Sequence, residues 1–329
     1  MDKKILVLFA GGIMGSVVNS DGARVFGEGS YELLMMYRRI FPNEVKFECR
    51  RILEVTSTQF TAESWERLME VIRNIDTDNY QGIIITVPSD ALPYTGALFG
   101  MFYRHIEIPM IITSCNKAVG EKGSNAVYNF AAAVELITKP GYSGIFISYE
   151  NIYIATRLMP ADNCTGIFRA YGEDSKSPNP IHRSINKQWL YHVRKRLFHT
   201  PLKFDNKVFA LSAIPGMELS ILSFKKKPAA VLLRPYHHGG ACLSASESVK
   251  GFVEDCLMQD IKVYICELPE SEKDSAKDLL LCGCIPMGDI SMPSAYAKLL
   301  IAYNQKEYPV GEVLKKNLYF ERVGEKCSE

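Results

Sequence analysis

The sequence predicts an α/β protein. A larger N-terminal domain is expected, with a mostly parallel, mixed sheet and helices on both faces, followed by a smaller C-terminal α/β domain. Three observations carry this expectation. Apolar strand-like runs alternate with amphipathic helical stretches, the alternation breaks once around Ser177-Pro178-Asn179-Pro180, and it then resumes over a shorter span. A chain of 329 residues with 47% hydrophobic content is long enough to bury two cores.

The first strand, Lys3 to Ala10, runs into the glycine turn Gly11-Gly12-Ile13-Met14-Gly15-Ser16. Paired glycines tolerate positive φ and let backbone approach a ligand closely, and such turns sit at the carboxyl ends of strands, where open α/β sheets bind ligands. The turn is neither G-x-G-x-x-G nor a P-loop, so no phosphate is expected there. Gly29 to Ile40 reads as a helix and Val45 to Val55 as a strand. Thr61 then caps a helix from Ala62 to Ile75, with Trp65, Leu68, Met69 and Ile72 on one face. The strand Gly82 to Val87, helix Ala91 to Tyr103, strand Pro109 to Thr113, a helix capped by Ser124 and ending at Ile137, and the strand Gly144 to Tyr149 complete a first domain over residues 1–175.

Residues 176–205 are expected to form a linker, because the Ser177-Pro178-Asn179-Pro180 run forbids regular structure and His182 to His199 is basic and aromatic without periodicity. The second domain, 206–329, opens with the strand Lys207 to Ser212, the turn Ile214-Pro215-Gly216-Met217 and the strand Ala229 to Tyr236. Ser244-Ala245-Ser246-Glu247 forms a capping box for a helix to Met258, and a strand follows from Lys262 to Glu267. A helix from Glu270 stops at Gly283, and Ser291 with Pro293 starts a last helix through Tyr303.

With 38 basic and 37 acidic residues, the net charge of +1 gives no field to recruit nucleic acid or anionic lipid, and a small neutral or zwitterionic ligand fits better. Lys225-Lys226-Lys227 reads as a solvated loop. No signal-peptide pattern and no unbroken apolar run long enough for a membrane helix are present, so a cytoplasmic location is expected. Nine scattered cysteines suit reduced thiols. Cys282-Gly283-Cys284 lacks a zinc-knuckle spacer and His237-His238 lacks paired ligands, so neither a metal nor another cofactor is expected.

Several stretches resemble, in order and spacing along nearly the whole chain, the bacterial-type (type I-like) L-asparaginase/glutaminase family. Lys4 to Gly15 (KILVLFAGGIMG) is similar to that family's first strand and G-G-T-I turn. Thr58-Gln59 stands where the family grips a substrate's α-amino and α-carboxylate groups. Val87-Pro88-Ser89-Asp90-Ala91-Leu92 stands where it carries H-G-T-D-T-M/L. Thr113-Ser114-Cys115-Asn116-Lys117, with Gly123-Ser124-Asn125-Ala126 and Asn129 behind, resembles its T-G-S-Q-R stretch and following helix start. Ser177-Pro178-Asn179, Ile214-Pro215-Gly216-Met217, and Cys282 to Ser291 followed by Tyr296-Ala297-Lys298-Leu299-Leu300 resemble its interdomain and C-terminal motifs.

Amide hydrolysis needs a nucleophile, a proton acceptor and donors to the oxyanion, and the departures from the family fall on these parts. Ile13 occupies the first threonine position and offers no hydroxyl. Ser89 and Asp90 keep a hydroxyl and a carboxylate at the second threonine and the aspartate. The lysine position in the hairpin after Arg157 falls on Ala161, and Lys117 is the amine left to replace it. The loop Asn19 to Gly29 carries Arg24, Val25 and Phe26 but no tyrosine.

The resemblance therefore implies a pocket for a small amino-acid-like ligand with weak or absent L-asparagine hydrolysis. The ligand contacts expected are Gly12, Ile13, Thr58, Gln59, Ser89, Asp90 and Ser114, with Ile13 and Met14 filling the space of the missing nucleophile. The rival reading is an active amidohydrolase with Ser89 as nucleophile and Asp90 orienting it, assisted by Lys117. Blander alternatives stay open: Ser89-Asp90 as a helix cap, Thr58-Gln59 as a polar loop, His237-His238 as a surface turn. A homodimer or homotetramer is implied by the resemblance. A third reading is a partner subunit that lends its fold to a complex, with Lys187 to Thr200, carrying Trp189, Tyr191 and Phe198, as docking surface; a crossover covering the sheet explains these residues equally well.

Overall fold

The computed structural model describes residues 3–18, 24–26, 28–172, 194–241, 246–324 and 327. The chain divides into two compact units, Met1–Leu202 and Lys203–Ser328.

The first unit contains β1 (Lys4–Ala10), β2 (Ser16–Val18), β3 (Arg24–Phe26), α1 (Glu28–Ile40), β4 (Phe47–Leu53), α2 (Ala62–Arg73), β5 (Tyr80–Thr86), α3 (Leu92–Phe102), β6 (Pro109–Thr113), α4 (Ala126–Thr138), β7 (Gly144–Tyr149) and β8 (Asn151–Ile154). Six strands form one mixed sheet in the order β4-β1-β5-β6-β7-β8, parallel except that β8 runs antiparallel to β7. The unbroken apolar run Ile5 to Ala10 is buried throughout, as expected for a strand covered on both faces.

Successive residues of a strand point to opposite faces. On β7, Ser148 Oγ donates to the Asn129 carbonyl of α4, while an added Cβ at Gly96 of α3 would lie 2.4 Å from Ile147 Cδ1. Helices α3 and α4 therefore cover opposite faces. Trp65 Nε1 of α2 donates to Thr95 Oγ1 of α3 at 2.9 Å, and α1 packs on α4, so each face carries a pair of helices.

The first parallel strand, β1, has the second, β4, on one side and the third, β5, on the other. The strand order reverses between β1 and β5, which places a crevice outside their carboxyl ends.

Two local features differ from the sequence reading. Ser16–Val18 and Arg24–Phe26 pair as an antiparallel hairpin where a loop was expected, because three-residue strands are too short for alternation to register. Residues 19–23 and 27 lie outside the described residues. Phe198 is buried and stacks on Phe102 with ring centroids 5.7 Å apart, so this part of the expected linker covers the domain rather than offering a docking face. Trp189, Tyr191 and Ser177-Pro178-Asn179 lie outside the described residues.

Burial and then the positive charges of Arg196, His199 and Arg104 push the His105 pKa from its ordinary 6.5 to about 4. The folded state thus binds fewer protons than the unfolded chain between these values, and its stability is complete above pH 6.5 and falls as pH drops toward 4. For a half-buried group partly screened by solvent, about 1 kcal/mol is expected to be lost between pH 7 and pH 5. Urea midpoints at the two pH values, compared with His105→Gln, measure it; an equal loss in the variant would remove His105 as the cause.

The second unit contains β9 (Val208–Ser212), β10 (Ala230–Arg234), α5 (Ser246–Met258), β11 (Lys262–Ile265), α6 (Lys277–Leu281), β12 (Ile285–Pro286), α7 (Met292–Asn304) and α8 (Val310–Lys315). Its four strands are parallel in the order β12-β11-β10-β9. Val231, Leu233, Val263 and Ile265 bury one sheet face against Phe252, Val253 and Cys256 of α5. The expected helix from Glu270 is interrupted: a 3-10 turn, Glu270–Glu272, precedes the short α6, and only the stop at Gly283 (φ +100°) is as expected. Asp274 and Ser275 stand at the interruption, and such side chains compete for backbone hydrogen bonds. Ser291 accepts from Ser294 N at 3.3 Å and Pro293 follows, which is the expected start of α7. Ser244 and Ala245 of the α5 capping box lie outside the described residues.

Candidate functional site

The crevice of the first unit is assembled from four strand exits. At the end of β1, Gly11 and Gly12 have φ of +92° and +75°. Gly12 N donates to the Val55 carbonyl beyond β4 at 2.8 Å, and an added Cβ at Gly12 would lie 2.8 Å from the Val87 carbonyl beyond β5. The turn is therefore wedged between two neighbouring exits, and only glycine fits. Next to it, Val87 N donates to the Thr113 carbonyl at the end of β6 at 3.0 Å. Met14 is fully buried and belongs to the core, whereas Ile13 is half-buried. Of the two side chains expected to fill the nucleophile's place, Ile13 is the one left at the turn's surface.

Ser89 and Asp90 lie in a 3-10 turn directly after β5, Ser89 half-buried and Asp90 exposed. Neither caps a helix: Pro88 and Ala91 hold the N-cap positions of that turn and of α3, and no side-chain cap hydrogen bond forms at either. Both side chains are without a hydrogen-bond partner among the described residues. The 3-10 turn Ser57–Gln59 packs against this one, which brings Thr58 and Gln59 beside Ser89 and Asp90. Gln59 Oε1 accepts from Thr56 N and Thr56 Oγ1, both at 3.1 Å, and Thr56 Oγ1 lies 3.1 Å from Thr58 Oγ1. The Gln59 carbonyl oxygen is thus committed to a capping box.

Ser114 is buried just beyond β6, its carbonyl accepting from Asn129 Nδ2 at 2.8 Å. The loop that follows is held by Asn116 and Asn125, which exchange backbone-to-side-chain hydrogen bonds at 2.9 and 3.0 Å, and by Asn125 Nδ2 donating to Glu150 at 3.1 Å. Glu150 was not singled out from the sequence, and Asn116 stood there only as part of a motif, although asparagines flanking a loop commonly signal such turn-holding bonds. Lys117 Nζ donates to the Lys122 carbonyl at 3.0 Å within this loop, and no hydrogen bond joins it to Ser89. Among the described residues no group of three or more His, Cys, Asp or Glu side chains could hold a metal, and the eight described cysteines are free thiols. The His237 and His238 rings lie tilted to each other with centroids 3.8 Å apart in the second unit, with His238 Nδ1 3.9 Å from Glu272.

Residues 4–166 match the family model described as asparaginase, N-terminal. Similarity continues beyond it: the L-asparaginase of Thermococcus kodakarensis is 22% identical over 334 residues, covering 98% of this chain and 99% of that protein. The chain belongs to the asparaginase family.

A second kind of relative is a glutamyl-tRNA(Gln) amidotransferase component of Methanosphaera stadtmanae, 21% identical over 342 residues, covering 96% of this chain and 76% of that one. The crystal structure of L-asparaginase I from Vibrio cholerae superposes with a TM-score of 0.77 at 17% identity, covering 98% of this chain and 100% of that one, which shows the shared fold. Within this asparaginase-family chain, Arg157 is buried at the base of a hairpin closed by the Leu158 to Ala170 bridge, and Ala161 lies partly exposed on it. No lysine occurs anywhere between Lys139 and Lys176, so no shift of register restores an amine to this hairpin. Among the described residues no helix is long and apolar enough to cross a membrane.

Proposed function

We propose that the crevice between the β1 and β5 exits binds a small amino-acid-like ligand and hydrolyses L-asparagine weakly or not at all. The observation that carries this reading is the state of Ser89 and Asp90: both stand at the strand-order reversal with polar groups uncommitted to capping or to any described neighbour. The Asp90 carboxylate suits a ligand's ammonium group, and the Ser89 hydroxyl and the Gln59 amide NH₂ suit its oxygens.

What speaks against turnover is the acid-base machinery. A serine hydroxyl at its ordinary pKa is a weak nucleophile without an adjacent base. Ile13 supplies no hydroxyl, the 157–170 hairpin has no lysine, and Lys117 is tied to its own loop. The relatives' names, L-asparaginase and amidotransferase, point to carboxamide-bearing compounds as the ligand class. A homodimer or homotetramer in the cytoplasm, with no cofactor, completes the proposal on the strength of the resemblance.

L-aspartate, L-asparagine and L-glutamine added in a thermal-unfolding assay test the binding reading. A ligand at about ten times its Kd adds about 1.4 kcal/mol to stability. A saturable rise in midpoint is expected with at least one of the three, and its loss in Asp90→Ala. No shift with any of them would contradict the reading.

A further inference from the structure

The second unit carries a cleft of about 480 Å³ at the amino ends of β9 and β10, opposite to the strand ends where such sheets usually bind ligands. Phe209 and Phe224 contribute aromatic wall, and Lys207, Lys226 and Lys227 stand around it with Asp205 as the one acid of the lining. The formal charge of these four ionisable groups is +2, from three lysines and one aspartate.

Three lysines gather around this one cleft. Some other surface cations are neutralised locally, as in Arg67–Glu70, Lys139–Glu135, Lys250–Glu254, Lys273–Glu270 and Lys316–Glu312. Among the described residues none of the Lys207, Lys226 and Lys227 ammonium groups makes an ion pair or a hydrogen bond.

The walls are fixed. Phe209 and Phe224 meet edge-to-face with centroids 5.2 Å apart, and Phe224 packs on Phe252 of α5. Asn206 is clamped to the end of α7, its N–H donating to Asn304 Oδ1 at 2.9 Å and its Nδ2 to the Tyr303 carbonyl at 2.7 Å. Ala229 N donates to the Lys207 carbonyl at 2.8 Å and ties the two strand starts together.

We propose that this cleft is a second ligand site, for a small organic anion with an apolar ring: the ring against Phe209 and Phe224, the charged group among the three lysines. The volume lies within the usual range for small-ligand sites, and a net charge of +1 over the whole chain argues against an extended polyanion.

Calorimetric titration of the full-length protein with phenyl phosphate tests the proposal, with inorganic phosphate and phenol as separate arms. Saturable binding of phenyl phosphate is expected, with phosphate weaker and phenol silent. It is expected to weaken about tenfold or more in Lys226→Glu/Lys227→Glu, and to weaken in wild type as salt is raised. Far-UV circular dichroism of the variant checks its fold, and retention of binding in Asp90→Ala locates the ligand away from the first crevice. Absence of phenyl phosphate binding, equal binding by the charge-reversed variant, or binding of heparin without binding of phenyl phosphate would each overturn the proposal.

Discussion

Glu321→Gln is expected to cost the second unit about 3–5 kcal/mol, because it strands a buried ammonium group. Lys298 and Glu321 are both fully buried, with Nζ 2.7 Å from Oε1. Lys298 also donates to the Lys316 carbonyl, while Glu321 accepts from Leu318 N at 2.7 Å and Tyr319 N at 2.6 Å. The pair thus pins α7 to the segment that follows α8. Differential scanning calorimetry of wild type and variant measures the loss. Replacing both partners by methionine is expected to recover only part of it, since the Leu318 and Tyr319 N–H groups lose their acceptor.

Burial by itself raises the Glu321 pKa, but the Lys298 charge and the hydrogen bonds from Lys298, Tyr319 and Leu318 outweigh it and hold the carboxyl below its usual range. Its contribution is therefore complete above the ordinary glutamate range and is lost only as pH falls through the lowered value. The pair therefore adds little to any change in stability between pH 7 and pH 5.

Gly12→Ala is expected to remove about 2–3 kcal/mol from the first unit and to abolish stabilisation by the amino-acid ligand. Its Cβ would lie 2.8 Å from the Val87 carbonyl oxygen and 2.9 Å from Pro88 N, at a φ of +75°. Neither neighbour is a flexible side-chain end, so Val87 and Pro88 must move, and Ser89 and Asp90 move with them. Gly216→Ala is the matched control: φ is +76° there, but an added Cβ meets nothing within 4 Å. It is expected to cost only the backbone term of about 1 kcal/mol. Equal losses in the two variants would mean that the close approach at Gly12 contributes nothing.

Most of the fold was legible because long apolar runs and helix caps report directly on burial. Ile5 to Ala10 could only be a doubly covered strand; Ser291 marks a helix start through its side chain, which accepts from Ser294 N, and Thr61 marks another, its N–H donating to Ser64 Oγ. The short β2–β3 hairpin and the broken helix after Glu270 were not legible, since three-residue strands and competing Asp and Ser side chains leave no periodic trace.

At the site, the residue types could be read but their commitments could not. Gln59 and Ser89 look equally available in sequence, yet the Gln59 carbonyl is held by Thr56 while the Ser89 hydroxyl makes no hydrogen bond among the described residues. Lys117 likewise reads as a possible base until its amine is found on the Lys122 carbonyl. Such choices among local hydrogen-bond partners depend on loop geometry rather than on residue identity.

Whether the family's chemistry survives in this chain rests on one assay: ammonia release from L-asparagine and L-glutamine by purified protein at high enzyme concentration, beside Ser89→Ala. A crevice with Ile13 on its glycine turn and no lysine in the 157–170 hairpin is expected to release no more ammonia than the variant. Release by wild type that disappears in Ser89→Ala would make Ser89 the nucleophile of an active amidohydrolase and contradict the binding-only reading.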